Sequence, residues 1–144
     1  MREFSVTGLI PRPALYLLRL FAEYTHVERI HAHRGVWVEP MYENGDVSIC
    51  RWHIKVMGMV RVSRQLQIVY PDDLKMVNET LDGFGRGTID TLVLKETDKG
   101  TGITETVQLK MPLHLLWMER PVESFTKAFI KGFYEDHLAD ENKG

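Results

Sequence analysis

Two periodicities divide the chain. Between residues 35 and 111 apolar and polar residues alternate with period two, and near the end a four-residue spacing takes over. Over Val47–Met57, Cys50, Trp52, Ile54 and Val56 alternate with Arg51, His53 and Lys55, the pattern of a strand in a sheet with one wet face. Asn44-Gly45-Asp46 is a tight-turn signal that joins this strand to Gly35–Glu43 as a hairpin. Over Val60–Tyr70, Val60, Val62, Leu66, Ile68 and Tyr70 share one phase, which predicts an inner face carrying Arg64 as well. Leu74–Leu81, Thr88–Glu96 and Ile103–Met111 are three further strands, the last two joined as a hairpin across residues 98–102. Beyond Met111 the alternation continues through Leu113, Leu115 and Trp117. The segment Leu113–Met118 reads either as strand carried past Pro112 or as helix.

Ahead of the strands, Phe4, Val6 and Gly8 mark a short strand over Glu3–Ile10. Pro13 then opens a helix to about Tyr24 whose Leu15, Tyr16, Leu17, Leu18, Leu20 and Phe21 predict burial on more than one side. Thr25–His31 reads as a second short helix or a turn. The closing segment, Pro121–Ala139, predicts a long helix with Phe125, Phe129 and Phe133 in one stripe beside Ala128 and Gly132. Such a stripe needs a concave receiver, and the strands are the source for it. Glu141–Gly144 is expected to be a frayed tail.

At 144 residues the chain reads as one domain over 1–144, long enough to bury a core without staples. A net charge of −2 argues against a nucleic-acid partner, which needs a basic surface. The lone Cys50 excludes an internal disulfide framework and fits a reducing compartment. No apolar run has the length of a signal peptide core or a membrane span, so the expected location is the cytoplasm, without integral membrane association.

Candidate chemistry is sparse. His26, His31 and His33 lack metal-ligand spacing and read as exposed loop histidines, so no metal is expected. Gly83, Gly85 and Gly87 precede a strand, not a helix, and read as a turn or bulge and not as a phosphate loop; no cofactor is expected. Arg64, in phase with apolar residues, is open to three roles: an ion pair with Glu79 or Asp90, snorkelling to the rim, or a polar anchor for a ligand. Asn78, Asp90, Tyr42, Tyr70 and His114 are further polar residues expected to face inward. Cys50 reads as a small core residue.

The opening Phe4-Ser5-Val6-Thr7 strand running into Pro11-Arg12-Pro13 is one feature of a wider likeness. Others are the segment Leu81-Asp82-Gly83 to Thr88, the turn Lys99-Gly100-Thr101-Gly102-Ile103-Thr104 and the closing helix. Together they resemble the START-related SRPBCC superfamily, in particular its polyketide cyclase/dehydrase and lipid-transport group. The resemblance implies an α+β helix-grip fold. A curved antiparallel sheet of six to seven strands would wrap a long C-terminal helix, with two short helices after the first strand. It also implies a cavity for a hydrophobic ligand: a lipid, isoprenoid or polyketide-like molecule. The residues expected to line or press on it are Trp52, Arg64, Leu66, Tyr70, Asn78, Asp90, Leu109, Met111, Phe125, Phe129 and Phe133. Two alternatives accompany this reading. One is a cyclase or dehydratase using Asp90, His114, Tyr70 or Arg64, with no catalytic residue fixed. The other is an interaction module with a protein partner.

Overall fold

The computed structural model describes residues 2–56 and 58–143. Seven strands form one antiparallel sheet: β1 (Arg2–Ile10), β2 (Val36–Asn44), β3 (Val47–Val56), β4 (Met59–Tyr70), β5 (Lys75–Thr80), β6 (Ile89–Thr97) and β7 (Gly100–Leu109). Their spatial order is β1-β7-β6-β5-β4-β3-β2, and every neighbouring pair is antiparallel. Two short helices, α1 (Ala14–Ala22) and α2 (Thr25–His31), follow β1, and a long helix, α3 (Glu119–Lys143), closes the chain. Met57, expected at the end of β3, lies outside the described residues, as does Gly144.

Turn chemistry sets the hairpins as the sequence predicts. Gly45 takes the left-handed conformation between β2 and β3. On the edge strand β2 the register slips between Pro40 and Tyr42, which leaves Met41 bulged where a proline cannot donate to the ladder. The turn from Gly83 to Gly87 joins β5 to β6 and is closed by a Gly87 N–H bond to Thr80 O of 2.8 Å.

Three expectations are corrected. β7 stops at Leu109, and Leu113–Met118 is a 3-10 segment, so the helical alternative holds and the alternation beyond Pro112 is incidental. In α1 only one side is buried: Ala14, Leu17 and Leu18 are fully enclosed, whereas Leu15 and Tyr16 are about half exposed. Arg12 stacks over the exposed Tyr16 ring and covers part of it. Residues 141–143 of the expected tail are helical, since α3 continues to Lys143, and Arg12 forms an ion pair with Glu141.

The main core lies where β1, β7 and β6 meet α1 and α3. Ile10, Leu17, Leu18 and Ile103 are its most enclosed members. A second, smaller cluster of Val27, Val36, Val38 and Cys50 sits under α2. Burial pushes the Cys50 thiol above its usual range, so it behaves as a small apolar residue. The line of α3 that packs deepest is Ile130, Tyr134 and His137, next to the phenylalanine stripe. Gly8 in β1 makes that approach close, because a Cβ there would meet the Tyr134 ring at 2.9 Å.

Candidate functional site

Between the sheet and α3 the two cores leave a cavity of about 230 Å³. Its apolar wall comes from Phe21, Trp52, Ile54, Met76, Leu92, Leu109 and, on α3, Phe129, Ile130 and Phe133. Its floor is polar. Gln67 pairs across the sheet with Asn78, and Asn78 with Asp90, so three polar side chains stand in one row on the inner face of β4, β5 and β6. Glu105, on β7 opposite Leu92 and so diagonal to Asp90, and Tyr134 on α3 stand beside the row, with the Tyr134 hydroxyl donating to Glu105 Oε1 at 2.6 Å.

The electrostatics of this row are unusual. Burial, reinforced by the neighbouring Glu105 charge, raises Asp90 well above the ordinary carboxylate range. Two neighbouring carboxyls cannot both ionise cheaply, so Asp90 holds its proton to higher pH than an ordinary aspartate does. Its Oδ1 is sealed from solvent and has no hydrogen-bond partner among the described residues. A buried oxygen left unpaired costs on the order of 1–3 kcal/mol. Burial, then the Glu105 charge, also raises the Tyr134 phenol, so it remains a donor.

Of the residues expected to line the cavity, Trp52, Asn78, Asp90, Leu109, Phe129 and Phe133 stand in its wall. Met111 is buried in the main core instead. Phe125 stacks on Phe129 but is 40% exposed, at the outer end of the stripe. Arg64, Leu66 and Tyr70 belong to the opposite face of the sheet. The pairing of β3 with β4 sets Arg64 opposite Arg51 and Leu66 opposite Ile49, and directly paired residues share a face. Arg64 therefore points outward, where Asp82 accepts from its side chain at 2.6 Å and from its backbone N–H at 2.7 Å. Neither Glu79 nor Asp90 is its partner. Tyr42 and His114 are likewise exposed. The set Asp90, His114, Tyr70 and Arg64 thus does not converge, and only Asp90 reaches the cavity.

Sequence reasoning passes over Gln65, Gln67, Glu105, Tyr134 and His137, all of which line the cavity. Glu105 does carry a signal, since it stands in phase between Ile103 and Val107 as Asp90 stands in phase with Leu92 and Leu94.

The histidines are the largest correction. His26 and His31 are buried, and both meet His137 of α3. His31 stacks on Phe133 with ring centroids 3.7 Å apart, and Phe21 meets His137 edge-on. Burial lowers His26 to about 4 and His137 to about 3, and nearby imidazoles add to the effect. Only His33 has the exposure expected of a loop histidine. Asp136 opposes burial with hydrogen bonds from Arg34 and His31, which hold its carboxyl at about 2.

No protein family matches this chain, and no curated protein does. Solved structures do. TTHA0849 from Thermus thermophilus is 18% identical, with a TM-score of 0.82 over 96% of this chain and 99% of that one. The ZhuI aromatase/cyclase from Streptomyces sp. R1128 is 13% identical, with a TM-score of 0.84 over 99% of this chain and 94% of that one. The major latex-like protein 151 of Panax ginseng is 11% identical, with a TM-score of 0.79 over 96% of each chain. At these identities the likeness is one of fold: the helix-grip architecture of a seven-stranded antiparallel sheet against a long C-terminal helix.

Proposed function

We propose that the protein binds a compact, mostly apolar small molecule bearing keto or hydroxyl oxygens, held between the sheet and α3. The observation that carries this reading is the row Gln67, Asn78 and Asp90 running across the floor of an otherwise aromatic and aliphatic cavity. Ligand sites pair apolar walls with a few convergent polar groups in this way. A cavity of about 230 Å³ is smaller than the ~300–1,000 Å³ usual for drug-sized ligands, which favours a ring molecule over a long acyl chain.

The test uses Trp52, which lines the cavity, as the reporter. Titration with a dihydroxynaphthalene should quench its fluorescence, and a long saturated fatty acid should do so far less. Trp52→Phe should remove the quenching. Equal response to both compounds, or quenching that survives in Trp52→Phe, would defeat the reading.

A second reading rests on Asp90, Glu105 and Tyr134. Two carboxyls, one of them with a raised pKa, and a phenol converging on one cavity are the parts of an acid–base site. Asp90 would donate to a ligand carbonyl oxygen while Glu105 takes a proton from the adjacent carbon, as ring closure of a poly-keto chain requires. The similar fold of an aromatase/cyclase supports this at the level of the fold. Asp90→Asn should then abolish turnover of a poly-keto substrate while the quenching titration still reports binding. A wild-type rate no faster than the uncatalysed one would confine the protein to binding.

A further inference from the structure

At the α2 end of the cavity, three imidazoles from distant parts of the chain meet. His26 and His31 lie on α2, and His137 lies more than a hundred residues later on α3. One ring nitrogen from each lies within 4.8 Å of the other two. All three side chains are buried.

The hydrogen bonds fix which nitrogens are free. His26 Nδ1 sits 2.6 Å from Glu23 O, an acceptor only, so Nδ1 carries the proton and Nε2 keeps its lone pair. His31 Nδ1 sits 3.0 Å from Asp136 Oδ2, again an acceptor, so its Nε2 also keeps a lone pair. That lone pair accepts from His137 Nε2–H at 3.2 Å, and an ion would displace this proton, which can move to His137 Nδ1. Two ligand nitrogens on a tetrahedral zinc ion with Zn–N bonds of about 2.0–2.1 Å lie about 3.3 Å apart. The His31–His137 separation already has that value. His26 would close in from within 4.8 Å, a movement of about 1.5 Å.

The surroundings have the form that metal-binding histidines take. Asp136 accepts from His31 Nδ1 and is itself gripped by Arg34 at 2.7 and 2.9 Å, which orients the imidazole from behind. The stack on Phe133 and the edge contact with Phe21 hold two of the rings in place.

We propose that His26, His31 and His137 form a three-histidine site for a divalent transition ion of the zinc class, its fourth position open to the cavity. Three protein ligands and one open position are the arrangement of catalytic zinc sites, as distinct from closed structural ones. His26 and His137 both stand in the cavity wall, so an oxygen of a bound molecule can reach the ion. The proposal does not depend on the ligand reading, because metal uptake is measured with no organic molecule present.

The experiment titrates chelator-treated protein with zinc chloride by calorimetry and records visible spectra with cobalt chloride. One ion per chain is expected, with the intense cobalt bands of a tetrahedral site. His137→Phe, checked for folding by circular dichroism, should weaken zinc binding by more than 100-fold. Asp136→Asn, which leaves the ligands in place, should weaken it by about 10–100-fold. His53→Ala, on the outer face beside Glu39, should change nothing. No uptake, or weak octahedral cobalt spectra with His137→Phe binding as tightly as the wild type, would overturn the site. The cluster would then be a buried hydrogen-bond network only. The cobalt spectrum of the wild type decides the question even if a variant fails to fold.

Discussion

The two ends of the sheet are built for different work. At the β1-β7-β6 end, strand, α1 and α3 close on one another, and Ile10, Leu17, Leu18 and Ile103 have almost no contact with solvent. At the β3-β4-β5 end the same inner face carries Gln65, Gln67, Asn78 and Thr80, and α3 stands off from it across the cavity. One end commits most of its side chains to packing, with Asp90 and Glu105 at its border with the cavity, and the other leaves polar groups facing a space. Stability and recognition are thereby separated along a single sheet, and substitutions at the two ends should differ in kind.

The largest difference is expected at Leu17. It is completely buried between α1 and the sheet, so Leu17→Ala should cost about 3–5 kcal/mol in urea unfolding, the transfer loss plus a new cavity. Phe129→Ala, at the open end, removes a larger side chain but only enlarges a space already there. Its cost should be nearer about 2 kcal/mol, and it should alter ligand affinity, which Leu17→Ala should not. If the phenylalanine truncation proved the costlier of the two, the open end would be a packed core and the contrast would fail.

This contrast also explains what the sequence can and cannot reveal. The strands, their turns and the closing helix are legible because each depends on local signals: alternation, Asn44-Gly45, and the Phe125, Phe129, Phe133 spacing. In β3 the apolar phase is the inner one, since Cys50, Trp52 and Ile54 do face in. In β4 the same rule points to the wrong face. There the cavity face is the polar one, and Val60 and Val62 stand exposed outside. Alternation marks two faces but names the inner one only when that face is dry. The register with β3, which a lone strand does not encode, settles it. The histidine cluster is hidden for a related reason. His26 and His31 are five residues apart, and His137 joins them only through the packing of α3 on α2.

Asp90 on the polar floor should make stability depend on pH in a direction opposite to that of ion-paired carboxylates such as Asp136. Asp90 has a raised pKa in the folded protein, mainly through burial and next through the Glu105 charge. Above the ordinary aspartate value of about 3.9 the unfolded chain has lost this proton while the native state retains it. Folding then takes up a proton, so stability falls as pH rises from there, until the folded-state pKa is passed. One proton corresponds to a slope of at most about 1.4 kcal/mol per pH unit. Asp90→Asn mimics the neutral acid and should flatten that slope in unfolding curves measured across the range. The readout is the difference between the two curves, because His26 and His137, kept neutral by burial, make stability rise with pH over part of the same window in both proteins. Equal slopes in wild type and Asp90→Asn would mean that Asp90 is ionised and that the floor is wetter than its geometry indicates.

The smallest effect tests how α3 is held beside the cavity. Gly132 packs closely, as its neighbours in the stripe predict, but not against the backbone of the sheet. A Cβ at this position would lie 2.5 Å from the Arg34 guanidinium, the same group that grips Asp136. The contact is therefore with the far end of a flexible side chain, which can move at the expense of its ion pair. Gly132→Ala gains about 1 kcal/mol of helix propensity. Losing hydrogen bonds to the largely buried Asp136 costs about 2 kcal/mol, so the net loss should be about 1 kcal/mol. The sign should reverse once Arg34 is gone: in an Arg34→Ala background, Gly132→Ala should stabilise by up to about 1 kcal/mol. Unfolding of the four proteins of this cycle gives the coupling directly. A coupling of zero would mean that Arg34 does not occupy the space beside Gly132, and that the clamp on Asp136 is not what seats α3 against α2.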